Sequence, residues 1–271
     1  MIKLNDEIIN IKHFPDGTVN FKICENGNFL TLDVEEGDIP NQLYWYYEND
    51  SEMFIVYCIV NIIRESYPNS KIDLNLPYLP NARMDRVKNR NEAFTLKYFA
   101  KFINDLNFET VFIYDIHSNV GNALIDRVAE LYPYDDVEKV LKENNIDTLY
   151  FPDEGSVKRY ADKFDKPFIF GMKKRDWESG NILGLDVLGD TELIKGKDIL
   201  IVDDICSRGG TFYYSAKKLK ELGANKIYLF VTHCENTILD GELLTSGLIE
   251  RVYTTNSIFT AQHEKIEVFK I

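Results

Sequence analysis

The spacing of apolar positions switches repeatedly along this chain between a period of two, as on one face of a strand, and a period near 3.6, as on one face of a helix. Phe14-Pro-Asp-Gly17 is a turn signal followed by alternating Val19, Phe21 and Ile23, and the first 35 residues read as strands and turns. Met53, Phe54, Tyr57, Val60 and Ile63 predict a helix from Ser51 to Arg64. Alternation predicts a strand from Ile72 to Leu76, after which Pro77 to Arg90 has no period. Asn91 can cap a helix running to about Leu106, with Leu96, Phe99, Ile103 and Leu106 on one face. Val111 to Tyr114 then predicts a strand ending at Asp115-Ile-His117.

Around Tyr132 to Val137 the chain turns polar and includes Pro133, which marks a domain boundary and predicts units 1–134 and 135–271. Beyond it the order is strand (Thr148 to Phe151), helix (about Gly155 to Phe164) and strands Phe168 to Phe170, Ile182 to Leu188 and Asp198 to Val202. A helix (Thr211 to Leu222) and a strand (Lys226 to Val231) follow. With no internal repeat, this βαβ-like order predicts an α/β protein of two sugar-phosphate-type domains with mainly parallel sheets.

Bulk properties narrow the ligand class. At 271 residues, 45% hydrophobic and 28% charged, the chain reads as an ordinary globular protein. It has no apolar run near the roughly 20 residues of a membrane span. The opening Met-Ile-Lys-Leu-Asn-Asp lacks a signal-peptide pattern, so a cytoplasmic protein with no membrane partner is expected. Cys24, Cys58, Cys206 and Cys234 are widely separated and are expected to be free thiols rather than zinc ligands or a disulfide framework. A net charge of −13 repels a nucleic-acid backbone, leaving phosphate recognition to local cations and a divalent metal. Small phosphorylated ligands fit that balance.

The densest chemistry lies in Ile199-Leu-Ile-Val-Asp-Asp-Ile-Cys-Ser-Arg-Gly-Gly-Thr211. A buried strand meets Asp203 and Asp204 where an open α/β sheet usually binds its ligand. Cys206, Ser207, Arg208, Gly209, Gly210 and Thr211 then offer consecutive N–H groups at a helix start, a cradle for phosphate. The acid pair can accept from ribose hydroxyls or hold magnesium while the loop takes a 5-phosphate. A plain strand-to-helix turn with two solvated aspartates is the bland alternative.

Arg83-Met-Asp85-Arg86-Val-Lys88-Asn-Arg90 sets four cations and one acid just after a strand, which suits a polyphosphate clamp or a solvated loop. His117 follows a strand end as a metal ligand or a packed histidine, and Asp153 in Pro152-Asp-Glu-Gly155 is a magnesium ligand or a helix cap. Lys173-Lys-Arg175 can neutralise a transferred phosphoryl group or simply face water. No Walker or kinase glycine loop is present, so ATP would bind by another architecture.

Taken in order, FPDGTVNFKI, PYLPNARMDRV, YDIH, FPDEG, KKR, VDDICSRGGT and VTH (Val231 to His233) resemble the ribose-phosphate diphosphokinases, the PRPP synthetases, across nearly the whole chain. The resemblance implies two phosphoribosyltransferase-like α/β domains: an ATP-binding domain at 1–134 and a ribose-phosphate-binding domain at 135–271. It implies transfer of the β,γ-diphosphoryl group of ATP to the anomeric hydroxyl of ribose 5-phosphate, with Mg2+, in nucleotide biosynthesis. Arg83, Asp85, Arg86 and His117 would bind ATP, and His117 and Asp153 the metal. Lys173 and Arg175 would stabilise the transition state from a mobile loop, with Asp203 and Asp204 on the ribose hydroxyls. Phe14 and Asp16 would complete a neighbouring subunit's adenine site, which implies a homodimer or larger homo-oligomer.

Three departures bear on the substrate. The phosphate loop reads Ser207-Arg-Gly-Gly-Thr211 where the family has D-T-G-G-T or D-T-A-G-T, adding a guanidinium that suits a 5′-diphosphate. The expected acceptor therefore leans to ADP-ribose, giving its 1-diphosphate for NAD synthesis from nicotinamide, with ribose 5-phosphate as the alternative. A surface role for Arg208 is the competing explanation. The segment Ile258 to Ile271 lacks the family's terminal helix, which puts its hexamer contacts and phosphate or ADP regulation in question, and Cys234 replaces a usual proline. A phosphoribosyltransferase or a non-catalytic regulatory subunit are the other readings, disfavoured by the ATP-type cluster and the retained Lys173, Arg175, His117 and Asp153.

Overall fold

The computed structural model describes residues 1–5, 7–25, 28–29, 41–87, 89–175 and 182–271, which divide into two compact units, Met1–Tyr132 and Pro133–Ile271. Lys88, residues 30–35 of the early strand-rich stretch, and the side chains of Lys173 and Arg175 lie outside what is described. Among the described residues no helix is long and apolar enough to cross a membrane.

The first unit opens on short strands: β1 (Ile2–Leu4), β2 (Glu7–Ile8), β3 (Lys12–His13), β4 (Val19–Asn20), β5 (Cys24–Glu25) and β6 (Asn28–Phe29). There follow β7 (Asn41–Trp45), α1 (Glu52–Ser66), β8 (Ile72–Leu76), α2 (Thr95–Asp105), β9 (Val111–Tyr114), α3 (Asn119–Leu124) and β10 (Val128–Leu131). One sheet runs β10-β9-β8-β7-β1-β2, parallel from β10 to β7. α1 buries Ile55, Val56, Ile59, Val60 and Ile63, a helical stripe that packs on the sheet. The Trp45 indole N–H donates to Glu52 Oε2 at 2.8 Å and ties the end of β7 to the start of α1. Asn91 does not cap α2, which begins at Thr95. The Asn89 side-chain amide donates to Glu92 Oε1 at 2.6 Å and the Glu92 N–H to the Asn89 carbonyl, closing a turn that holds the chain out of the helix.

The second unit contains α4 (Tyr134–Glu143), β11 (Thr148–Phe151), α5 (Glu154–Tyr160), β12 (Phe168–Arg175), β13 (Ile182–Leu188) and β14 (Ile199–Cys206). α6 (Gly210–Glu221), β15 (Ile227–Cys234), β16 (Arg251–Thr255) and β17 (Ile266–Phe269) complete it. The sheet order is β13-β12-β11-β14-β15-β16-β17, parallel except for β13 against β12. β14 is covered on both faces: Ile199 and Ile201 share a core with Phe212, Ala216 and Leu219, while Leu200 and Val202 share another with Val137, Val140 and Tyr160. Double burial is why its sequence is a continuous apolar run.

Two strands outrun their apolar signal. β12 continues from Phe170 through Lys173 to Arg175 because it pairs with β13, so these cations stand on a strand rather than in a loop after one. β14 continues past Val202 through Asp203, Asp204 and Cys206 because β15 runs beside it to Cys234. α5 in turn stops at Tyr160, short of Phe164.

From β11 the chain passes outward to β12 and later re-enters on the other side as β14. This reversal makes the C-terminal tips of β11 and β14 a topological switch point, where open α/β sheets form a ligand crevice.

Candidate active site

At that switch point β11 delivers Asp153 and β14 delivers Asp203 and Asp204. Asp153 caps α5: its Oδ1 accepts from the N–H groups of Gly155 (3.1 Å) and Ser156 (3.2 Å), with the Ser156 hydroxyl at 3.3 Å. The capping role therefore holds, and all three contacts fall on one carboxylate oxygen.

The acid pair is held unequally. Asp204, 5% exposed, pairs with Arg159 Nη1 at 3.1 Å. Asp203 accepts through Oδ1 from the Ser156 hydroxyl at 2.6 Å and from the Asp204 N–H at 3.1 Å. Burial first, then the charge of Asp204, pushes the Asp203 carboxyl well above the usual carboxylate range.

The loop after β14 has the geometry of an anion cradle. Gly209 takes the left-handed conformation (φ +77°) as the N-cap of α6, and no side chain caps that end. The first N–H groups of the helix thus have no side-chain cap and are of the kind an anion can satisfy. Ser207 is half-buried, Arg208 and Gly210 are exposed, and Thr211 stands in the first turn. The Cys206 side chain is buried in the core beside Cys234, and its carbonyl accepts from the Glu235 N–H at 2.8 Å. The Cys234 thiol and burial together push the Cys206 thiol well above its ordinary value. Cys58, Cys206 and Cys234 are free thiols.

Sequence reasoning passed over the buttress of this loop. A β-carbon on Gly241 would overlap the Arg208 carbonyl oxygen, and one on Gly209 would come within 3.0 Å of Leu243. Asp240-Gly241 is a turn dipeptide, the one local sign available. Gly241→Ala should displace the phosphate loop, lowering stability by about 1–3 kcal/mol and weakening acceptor binding several-fold. Denaturant unfolding and acceptor KM read the two effects; a variant with wild-type values in both would contradict the close approach. Ser156 and Arg159 were also missed, because a serine and an arginine on a short helix carry no motif of their own.

In the first unit, Phe14 to Thr18 closes the β3–β4 hairpin: the Phe14 N–H donates to the Thr18 carbonyl at 2.8 Å and the Gly17 N–H to the Phe14 carbonyl at 2.9 Å. Asp16 accepts from the Thr18 N–H at 2.9 Å, a bond that lowers its pKa, while Phe14 is 54% exposed. The stretch after β8 is irregular, anchored by buried Leu79 and Ala82, with Arg83, Arg86 and Arg90 exposed and Asp85 half-buried. Arg86 Nε lies 3.9 Å from Asp85 Oδ1. After β9, buried Asp115 adopts φ +43°, which turns the chain sharply before half-buried His117. The Ile116 N–H donates to Glu130 Oε1 at 3.0 Å and fixes that turn.

Among the described residues no three His, Cys, Asp or Glu side chains gather as a metal cage. Magnesium asks for less, since one or two carboxylates with substrate phosphates and water satisfy it. The Asp153 carboxylate is a hard oxygen donor of that kind.

The phosphoribosyl synthetase-associated domain model matches residues 179–271. The ribose-phosphate pyrophosphokinase of Pyrococcus abyssi is 26% identical over 268 residues, covering 97% of this chain and 86% of its own length. That of Shewanella oneidensis is 25% identical over 281 residues, covering 99% of this chain and 83% of its own. The chain is similar to the ribose-phosphate pyrophosphokinases. Its fold agrees with that of the phosphoribosylpyrophosphate synthetase from Mycobacterium smegmatis, with a TM-score of 0.73 at 18% identity over 97% of this chain and 86% of that one. The likeness covers 97% of the chain and so reaches both units.

Proposed function

We propose that this chain is a magnesium-dependent diphosphokinase that transfers the β,γ-diphosphoryl group of ATP to the anomeric hydroxyl of ribose 5-phosphate and releases AMP. The observation that carries the reading is the continuity within one unit of Asp203, Asp204 and an uncapped α6 N-terminus, a pairing suited to sugar hydroxyls and a sugar phosphate. The likeness to ribose-phosphate pyrophosphokinases supplies the reaction.

In this reading residues 135–271 hold the ribose phosphate: Asp203 and Asp204 take sugar hydroxyls, and residues 206–211 take the 5-phosphate. Residues 1–134 hold ATP through Arg83, Asp85, Arg86 and His117, while Phe14 and Asp16 serve the adenine site of a neighbouring copy. The anomeric oxygen attacks the β-phosphorus, the bond to the α,β-bridging oxygen breaks, and AMP leaves with that oxygen. Lys173 and Arg175 stabilise the charge on the transferred group. His117 and Asp153 are each candidate magnesium ligands, and the metal when bound would neutralise phosphate charge.

The relatives favour ribose 5-phosphate over ADP-ribose as acceptor and lend no support to the preference drawn from the loop. ADP-ribose stays as a second reading on one observation: Arg208 is exposed at the loop and has no ion pair or hydrogen bond among the described residues. AMP release from Mg-ATP with each acceptor in turn tests both. AMP with ribose 5-phosphate is the expected result. AMP with ADP-ribose alone would make Arg208 the selecting residue, and AMP with neither would overturn both readings. Arg208→Ala should change kcat/KM for ribose 5-phosphate by less than about threefold, since an exposed cation adds little in high dielectric. A loss of tenfold or more would assign Arg208 to the acceptor phosphate.

A further inference from the structure

The two carboxylates of β14 are made different from each other by α5. Ser156 and Arg159 stand three residues apart on one helical face, and each engages one acid of the pair. Arg159 neutralises Asp204 inside the fold at 3.1 Å. Ser156, 4% exposed, binds Asp203, and the donor count there is decisive. A serine hydroxyl has one proton to give. Its oxygen is 2.6 Å from Asp203 Oδ1 and 3.3 Å from Asp153 Oδ1, so the proton goes to Asp203. The Asp204 N–H meets the same Oδ1 at 3.1 Å. Oδ1 is therefore served twice, while Oδ2 has no partner among the described residues.

We infer that Ser156 is a positioning residue for the acceptor sugar: it fixes the rotation of the Asp203 carboxylate so that Oδ2 faces the acceptor's hydroxyl, while Arg159 pairs with Asp204 Oδ2. The inference rests on the reading that Asp203 takes a sugar hydroxyl. The terminal torsion of an aspartate is broad and roughly two-fold, so with only the longer Asp204 N–H bond left on Oδ1 the carboxylate is held less firmly in this rotation. A ligand must then order the carboxylate as it binds, and it also meets an oxygen still seeking a donor.

The test is Ser156→Ala beside Ser156→Thr and the wild type, with ribose 5-phosphate binding measured by calorimetry and turnover by AMP release. Ser156→Ala is expected to raise the ribose 5-phosphate KM and Kd about tenfold, the loss typical of one hydrogen bond to a charged group. The ATP KM, kcat and melting temperature should stay near wild type. Ser156→Thr, which keeps the hydroxyl, should recover most of the acceptor affinity. An unchanged acceptor KM in Ser156→Ala overturns the inference and leaves the diphosphokinase reading standing. A rise in the acceptor KM that threonine does not recover, or one matched by the ATP KM and a fall in melting temperature, also overturns it. A wild type that neither binds ribose 5-phosphate nor releases AMP with it overturns the reading itself, and the inference with it.

Discussion

Asp203→Asn is expected to lower kcat/KM for the acceptor by about 100-fold and, once pH exceeds the raised pKa of that carboxyl, to raise the melting temperature of the protein. Both effects come from the same burial. The Asp203 carboxyl sits well above the usual carboxylate range because burial and the Asp204 charge oppose its ionisation. A group whose folded pKa is raised binds its proton more tightly in the folded state. Its contribution to stability is present in full below the unfolded value of about 3.9 and is lost as pH rises through the folded pKa. Asparagine removes that loss. Its Oδ1 can still accept from Ser156 and from the Asp204 N–H, so the local bonding survives. The oxygen that would face a sugar hydroxyl becomes an amide nitrogen, which donates instead of accepting. Melting curves of both proteins across acidic to neutral pH check the stability half, with the gap expected to widen as pH rises. A variant equal to or less stable than wild type at every pH would contradict it, and wild-type kcat/KM would remove Asp203 from the acceptor site.

Lys173→Ala is expected to lower turnover by about 10²- to 10³-fold with the fold intact. In the proposed reaction its ammonium meets charge that grows on the transferred group, so its loss falls on kcat more than on either KM. The main chain of Lys173 belongs to β12, paired with Leu185 of β13 at the sheet edge, where a side-chain truncation leaves the ladder in place. Single-turnover AMP release and a melting curve on the same preparation separate chemistry from folding. Near-normal turnover would remove Lys173 from the reaction.

Much of this architecture was legible in local pattern. Strands Ile72–Leu76, Val111–Tyr114, Thr148–Phe151 and Ile182–Leu188 match their sequence-based bounds, because alternation or a short apolar run delimits each. What pattern missed is what tertiary pairing adds. Lys173 and Arg175 extend β12, and Asp203 to Cys206 extend β14, because a neighbouring strand supplies hydrogen bonds that no local propensity announces. The candidate site divides the same way. Asp153, Asp203 and the glycine turn could be found from residue type and position at strand ends. Gly241 showed in sequence only as a turn residue, because its role is to stand close to Arg208, 33 positions back along the chain. Ser156 and Arg159 were invisible because they act on other side chains and resemble no ligand site themselves. Motif position says nothing about which way a strand residue faces, and the Cys206 side chain faces the core.

The most direct test is to incubate the wild-type protein with Mg-ATP and ribose 5-phosphate and identify every product by mass spectrometry. The expected result is AMP and a ribose 5-phosphate heavier by one diphosphoryl group, in equal amounts. ADP with a singly phosphorylated product, or no conversion of the sugar, would contradict diphosphoryl transfer as the function of this fold.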